Sequence, residues 1–277
     1  MDAIVFAAGR GTRLRPATDE TPKPLLEVGG EPLLRRCLDA VVDAGVDHVV
    51  VVVGYRADEI VDAIGDSVRG ASVTYASQRD REGLAHAVRR AAEDAYDVSI
   101  PSGGADPFAV TPDVPDAIMT VCGDNVFDDC ALSRLREHHA EPGVDGTILL
   151  DRAGRNEATA KARCDVGPDG TVRHLETSID DAPTDGWELD SEGDDAGGDD
   201  STGGYVAAGV RTHHGPSLIE ACRTVDRAAS GEYELTDALE RLVDRGSRYV
   251  GVELEGWHLN VNTPADLEVA RRRFRRP

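Results

Sequence analysis

Apolar positions along the chain fall into two kinds of run. Unbroken ones, such as Ile4-Val5-Phe6 and the five valines from Val49 to Val53, show no alternation and fit strands buried on both faces. Between them lie stretches with apolar residues on one helical face, over residues 31–44 and 57–64. Pro32 stands near the first turn of the former and Gly45 closes it. Residues 73–76 give a third strand, so strand, helix, strand, helix, strand fill the first eighty positions. That order predicts an α/β fold with a Rossmann-like, doubly wound, mostly parallel sheet, whose ligands sit beyond the carboxyl ends of its strands.

Further on, residues 83–87 open a helix, 117–121 and 147–150 read as strands, and 163–166 with 171–176 read as a hairpin around Pro168-Asp169-Gly170. Residues 249–254 read as the last strand, and Thr263-Pro264 begin the final helix. Residues 97–116, rich in Pro and Gly, read as a long loop. A chain of 277 residues has room for one large α/β domain, taken here as 1–277.

Composition narrows the setting. The net charge is −22, and of 30 basic residues only Lys23 and Lys161 are lysines. Such an acidic surface suits a salt-rich cytoplasm like that of halophilic archaea, and it argues against nucleic acid as a partner. The start is acidic and no segment approaches the roughly 20 apolar residues of a membrane span, so a soluble cytoplasmic protein is expected. Five scattered cysteines lack CxxC spacing and read as buried or half-buried residues of a reducing compartment. Residues 180–202 carry an acidic insertion with ten carboxylates between Asp180 and Asp200, read as solvated, with Trp187 and Leu189 as its anchors to the body. The arginines at 271–273 and 275–276 suit a helix C-terminus, and the pairs His138-His139 and His213-His214 read as surface residues.

The candidate chemistry begins directly after the first strand. Ala7-Ala8-Gly9-Arg10-Gly11-Thr12 is small enough for backbone to approach a ligand, and consecutive amides in such a turn can cradle an anion. Arg13 adds a planar fork for phosphate oxygens and Lys23 a mobile point charge. The spacing excludes both a dinucleotide fingerprint and a Walker loop, and the segment runs into Pro16 instead of a helix. Gln78 after the third strand can donate and accept at once, as the edge of uracil or thymine requires. Asp124, just past the fourth strand, is placed to hold Mg²⁺ against a triphosphate, whereas Asp128 and Asp129 read as helix caps.

Taken together, Gly9-x-Gly-Thr-Arg-Leu-x-Pro16, Thr21-Pro-Lys-Pro-Leu-Leu26 and Val28-Gly-Gly-x-Pro32 closely resemble the signature of the sugar-phosphate nucleotidylyltransferases. The resemblance continues through Gln78 with Gly83-Leu84-Ala85, Gly123-Asp124-Asn125, Glu234-Leu-Thr-Asp237 and the closing stretch Trp257 to Leu267. It implies a nucleotide-binding half over 1–130 and a sugar-phosphate-binding half over 131–277, which carries the inserted β subregion. It also implies nucleotidyl transfer from UTP or dTTP to a sugar 1-phosphate, glucose 1-phosphate first, with Mg²⁺ and release of pyrophosphate. A cytidylyl- or guanylyltransferase, or a non-catalytic scaffold relative, is the alternative, and a homo-oligomer stays open. Under the resemblance Arg13 and Lys23 are catalytic, and Ala7, Ala8, Gly9, Gly11, Thr12, Arg13, Gln78 and Gly83 hold the nucleotide. Gly123, Glu176, Gly209 and Lys161 meet the sugar phosphate, and Asp124 with Asn260 or Asn262 holds the metal. Where many members carry a second lysine after the glutamate, this chain reads Glu176-Thr177, leaving Lys161, Arg163 or Arg173 as substitutes. No hexapeptide repeats follow the core.

Overall fold

A computed structural model describes residues 1–98, 114–127, 130–152, 162–177 and 205–275. The expectations for Asp128 and Asp129, for Lys161, for the acidic insertion with Trp187 and Leu189, for Arg276 and for most of the 97–116 loop lie outside these residues. Strand β1 (Asp2–Ala7) runs into a 3-10 turn at Thr12–Leu14, so the loop does take a helical turn before Pro16. The short ribbon β2 (Glu27–Val28) and β3 (Glu31–Pro32) then leads into α1 (Leu33–Asp43), with Pro32 as the capping residue instead of a first-turn one. Next come β4 (His48–Val53), α2 (Ala57–Ile64), β5 (Ser67–Val68), β6 (Ala71–Ser77) and α3 (Leu84–Ala95).

The second part continues with β7 (Ala117–Cys122), β8 (Asn125–Phe127), α4 (Ala131–His139), β9 (Gly146–Arg152), β10 (Ala162–Val166) and β11 (Val172–Thr177). Then follow β12 (Tyr205–His214), α5 (Gly215–Thr224), α6 (Leu235–Asp244), β13 (Tyr249–Glu253), β14 (His258–Asn260) and α7 (Pro264–Arg273). β13 is therefore not the last strand.

One sheet joins both parts in the order β11-β10-β12-β7-β1-β4-β6-β5, with β9 bridging β12 to β13. Its centre, β7-β1-β4-β6, is parallel, and β12 joins β7 antiparallel. The parallel centre explains the unbroken valines, because helices cover both faces. On one face α3, α5 and α6 pack over Ile4, Val50 and Ile118; on the other α1, α2 and α4 pack over Val5, Val49 and Met119. A third cluster joins Leu14 and Leu26 of the N-terminal loop to Val261 and Leu267, and so ties the two chain ends together beside the carboxyl ends of β1 and β7.

Two side-chain expectations fail. His213 is fully buried, with Nε2 2.9 Å from Thr120 Oγ1 and Nδ1 3.1 Å from the Tyr249 hydroxyl. Cys130 is exposed, whereas Cys37, Cys164 and Cys222 are buried and Cys122 is half-buried. Among the described residues no helix is long and apolar enough to cross a membrane.

Candidate active site

Above the carboxyl ends of β1 and β7 lies a cavity of about 380 Å³. Ala7, Ala8, Gly9, Gly11, Thr12 and Arg13 line one wall. The loop's shape is fixed at Gly11, whose φ of +63° and whose contact with Lys23, 2.7 Å from a would-be Cβ, leave no room for a side chain. Buried Thr18 closes the turn with a 2.9 Å hydrogen bond from its hydroxyl to the Gly11 carbonyl, a support the sequence did not reveal. The turn's own backbone donors start at Leu14, leaving the amides before it directed to no turn acceptor.

Lys23 crosses the cavity. Its ammonium donates to Asp124 Oδ2 at 2.5 Å and to Asn262 Oδ1 at 2.8 Å, and Arg13 reaches the same Asn262 oxygen at 3.5 Å. Asn262 is held in place at the entry to α7: Thr263 and Asp266 form a capping box there, and Asp266 Oδ2 also accepts from the Asn262 backbone N–H at 3.0 Å. β14 lies antiparallel to β8 with Asn260 opposite Asn125, and Val261 donates to the Asp124 carbonyl at 3.1 Å. This brings Asn260 beside Asp124 from 136 positions away in sequence. Two oxygens there, Asp124 Oδ1 and Asn260 Oδ1, are buried with no partner.

At the opposite end stands Gln78, 5% exposed. Its amide nitrogen donates to the Gly83 carbonyl at 2.9 Å and lies 3.3 Å from His86 Nδ1. An amide nitrogen only donates, so His86 Nδ1 accepts, and the amide's acceptor oxygen remains for a ligand. Burial lowers the His86 pKa, with Glu82 opposing and Arg89 assisting, which keeps the ring a neutral acceptor. Gly83 has a φ of +102°, and a Cβ there would meet the Tyr233 carbonyl at 2.4 Å. Tyr233 donates to Glu82 O at 2.7 Å and accepts from Ala85 N at 3.0 Å, strapping the segment before α6 across the head of α3. Arg89 and Arg227 cover its ring.

The remaining expected residues divide. Gly123 and Gly209 line the cavity. Glu176 is exposed on β11, opposite Arg163 of β10, and neither it nor Arg163 or Arg173 lines the cavity. Alternation turns Cys164 and Leu175 inward and Arg163 and Glu176 outward, whereas Arg173 is the exposed extra residue where the β10–β11 register shifts. Arg211 of β12, unremarked in the sequence, does line it.

The model of a protein family described as nucleotidyl transferase matches residues 2–271. The chain belongs to the nucleotidyl transferase family. It is 30% identical over 274 residues to a UTP–glucose-1-phosphate uridylyltransferase of Haloferax volcanii, covering 99% of this chain and 96% of that one. It is also 30% identical over 278 residues to a glucose-1-phosphate thymidylyltransferase of Streptomyces antibioticus, covering 98% of this chain but only 65% of that protein. Among solved structures, a Bacillus anthracis protein assigned as a glucose-1-phosphate thymidylyltransferase superposes with a TM-score of 0.75 at 20% identity, covering all of this chain and 96% of that one. A UDP-glucose pyrophosphorylase complexed with UDP-glucose gives 0.72 at 15%, covering 99% and 97%. These two likenesses show the fold. Membership of the family makes the chain a nucleotidyltransferase, and the relatives named here act on sugar 1-phosphates.

Proposed function

We propose that this transferase takes UTP or dTTP and a sugar 1-phosphate, with glucose 1-phosphate as the first acceptor to test, and releases pyrophosphate. The observation that carries the reading is the shared cavity: the phosphate loop, the Lys23–Asp124 pair and Gln78 line one space. An acceptor oxygen at Gln78 matches the imide N–H of uracil and thymine and mismatches cytosine, which presents an acceptor there. Names of relatives that use UTP and thymidylyl donors support the same choice.

In this reading a phosphate oxygen of the acceptor attacks the α-phosphorus in line, and pyrophosphate leaves. The attacking oxygen is ionised at neutral pH, so no general base is needed and catalysis is positioning with charge neutralisation. Lys23 meets the charge gathered between the α-phosphate and the attacking phosphate. Arg13 and the loop amides hold the departing pyrophosphate. Asp124 and Asn260 suit Mg²⁺, because two buried, unpartnered oxygens are the hard ligands it takes when substrate phosphates complete its shell. Asn262, engaged by Lys23 and Arg13, then acts as a positioning residue. A bound Mg²⁺ would neutralise phosphate charge.

The test is pyrophosphate release in molar KCl with Mg²⁺, with ATP, GTP, CTP, UTP and dTTP each offered with glucose 1-phosphate. Turnover restricted to UTP or dTTP is expected. Turnover with CTP or GTP alone, or with none of the five across a wider panel of sugar 1-phosphates in a folded protein, would overturn the reading.

A further inference from the structure

Arg211 is a buried cation that the chemistry above does not use. It is 6% exposed on β12, opposite Thr120 of β7, and lines the cavity. Its Nε is buried without a partner, and among the described residues no carboxylate pairs with it. A guanidinium cannot shed its proton to escape the low dielectric, so an unpaired one at this depth lacks its counter-ion. Its charge is felt nearby, where it opposes the rise in the Cys164 pKa and helps lower that of His213.

Position separates this cation from the phosphates. Thr120, its partner across the strands, precedes Asp124 by four residues, so Arg211 is rooted below the carboxyl ends of the strands where Lys23, Arg13 and Asp124 meet. The same cavity is also lined by Phe6, Leu84, Ala207, Leu235 and Thr236, apolar faces with one hydroxyl, the kind of wall a sugar ring packs on. Glu232 and Glu234 also line the cavity, but they flank Tyr233 on the strap over Gly83, and Glu234 accepts a hydrogen bond from Ser230 at 3.1 Å. An acceptor whose 1-phosphate lies at Lys23 would therefore turn the far side of its sugar toward Arg211.

We propose that Arg211 receives a carboxylate borne by the sugar, so that the preferred acceptor is a hexuronate 1-phosphate over a neutral hexose 1-phosphate. The planar carboxylate matches the guanidinium fork with two parallel hydrogen bonds and supplies the missing charge. The proposal rests on the nucleotidyl-transfer reading and leaves its chemistry unchanged: the 1-phosphate oxygen bonds to the α-phosphorus and pyrophosphate departs.

The experiment compares glucose 1-phosphate with glucuronate 1-phosphate, in turnover with UTP and in thermal-shift binding, for the full chain in molar KCl with Mg²⁺. Wild type should favour glucuronate 1-phosphate by about tenfold or more in kcat/KM, and that ratio should fall by about tenfold or more in R211L, with R211K between. R211L should melt no lower than wild type, because it removes an unpaired buried charge. Equal use of both acceptors by wild type would overturn the proposal. So would an equal loss for both in R211L, which would mean that Arg211 serves the 1-phosphate. If neither acceptor turns over, the transfer reading fails, and the thermal-shift arm still decides the point: a larger rise with glucuronate 1-phosphate, absent in R211L, supports the carboxylate site, and equal rises sink it.

Discussion

Lys23 and Asp124, 101 residues apart, meet at 2.5 Å with side chains only 11% and 22% exposed. The pair couples the phosphate loop to the end of β7. Removing either partner strands a half-buried charge, which is more damaging than the loss of an exposed ion pair.

Lys23→Ala is accordingly expected to lower turnover by about 10²–10³-fold, the range for losing one preorganised donor at a reacting centre. Lys23→Arg should recover little, because the forked head does not reproduce a point charge shared between Asp124 and Asn262. Steady-state pyrophosphate release, with melting curves to confirm folding, measures both. Retained turnover in a folded Lys23→Ala protein would remove Lys23 from the mechanism.

Asn260 offers a second test. Its oxygen is buried and unpartnered, and Asn260 is the proposed neutral member of the ligand pair. Asn260→Asp adds a charge there, and the Mg²⁺ concentration for half-maximal activity should fall several-fold. Asn262→Asp, next to Lys23 instead, should leave that concentration nearly where it was. If the two variants exchange behaviour, the ligand assignment is reversed.

The Gln78 amide is oriented by Gly83 and by His86. Because burial holds the His86 pKa below its usual value, the ring is a neutral acceptor at pH 7. As pH falls through that lowered value, Nδ1 gains a proton and can no longer accept from Gln78. Preference for UTP over CTP should therefore weaken in acid. His86→Asn keeps an acceptor on Cγ without titrating and should show a flat ratio, whereas His86→Phe should show a low one throughout. Ratios of kcat/KM across pH provide the readout, and identical profiles for all three proteins would refute the link.

His213 gives a stability test. Burial, then the charges of Arg211 and His139, push its pKa well below the usual histidine value. The fold thus favours the neutral ring. That contribution is whole above the unfolded value near 6.5 and is lost as pH falls below it toward the folded value. The melting temperature should drop over that acid range, and less so in His213→Asn, which can still bond Thr120 or Tyr249.

Much of this was legible beforehand. The valines of β4 and the glycines and Pro-Lys-Pro of the phosphate loop carry local patterns, and local patterns reveal buried parallel strands and tight turns. β14 escaped notice because three residues paired to β8 have no period to read. His213 and Arg211 were missed for a related reason. Polar residues extend β12 beyond its apolar run, and their burial depends on Thr120, Tyr249 and the cavity, all contributed by distant segments. Asn260 and Asn262 could not be told apart until the capping box of α7 and the ribbon β8–β14 fixed which amide faces Lys23.

Tyr233 bonds through both its amide and its carbonyl to the segment carrying Gly83, and directly beyond it the same chain supplies Glu234, Leu235 and Thr236 to the cavity lining. The two substrates therefore press on a common frame. Whatever free energy the triphosphate gains by settling that strap becomes available to the acceptor, and thermodynamic reciprocity makes the assistance equal in both directions. Either substrate, bound first, should tighten the other by the same factor.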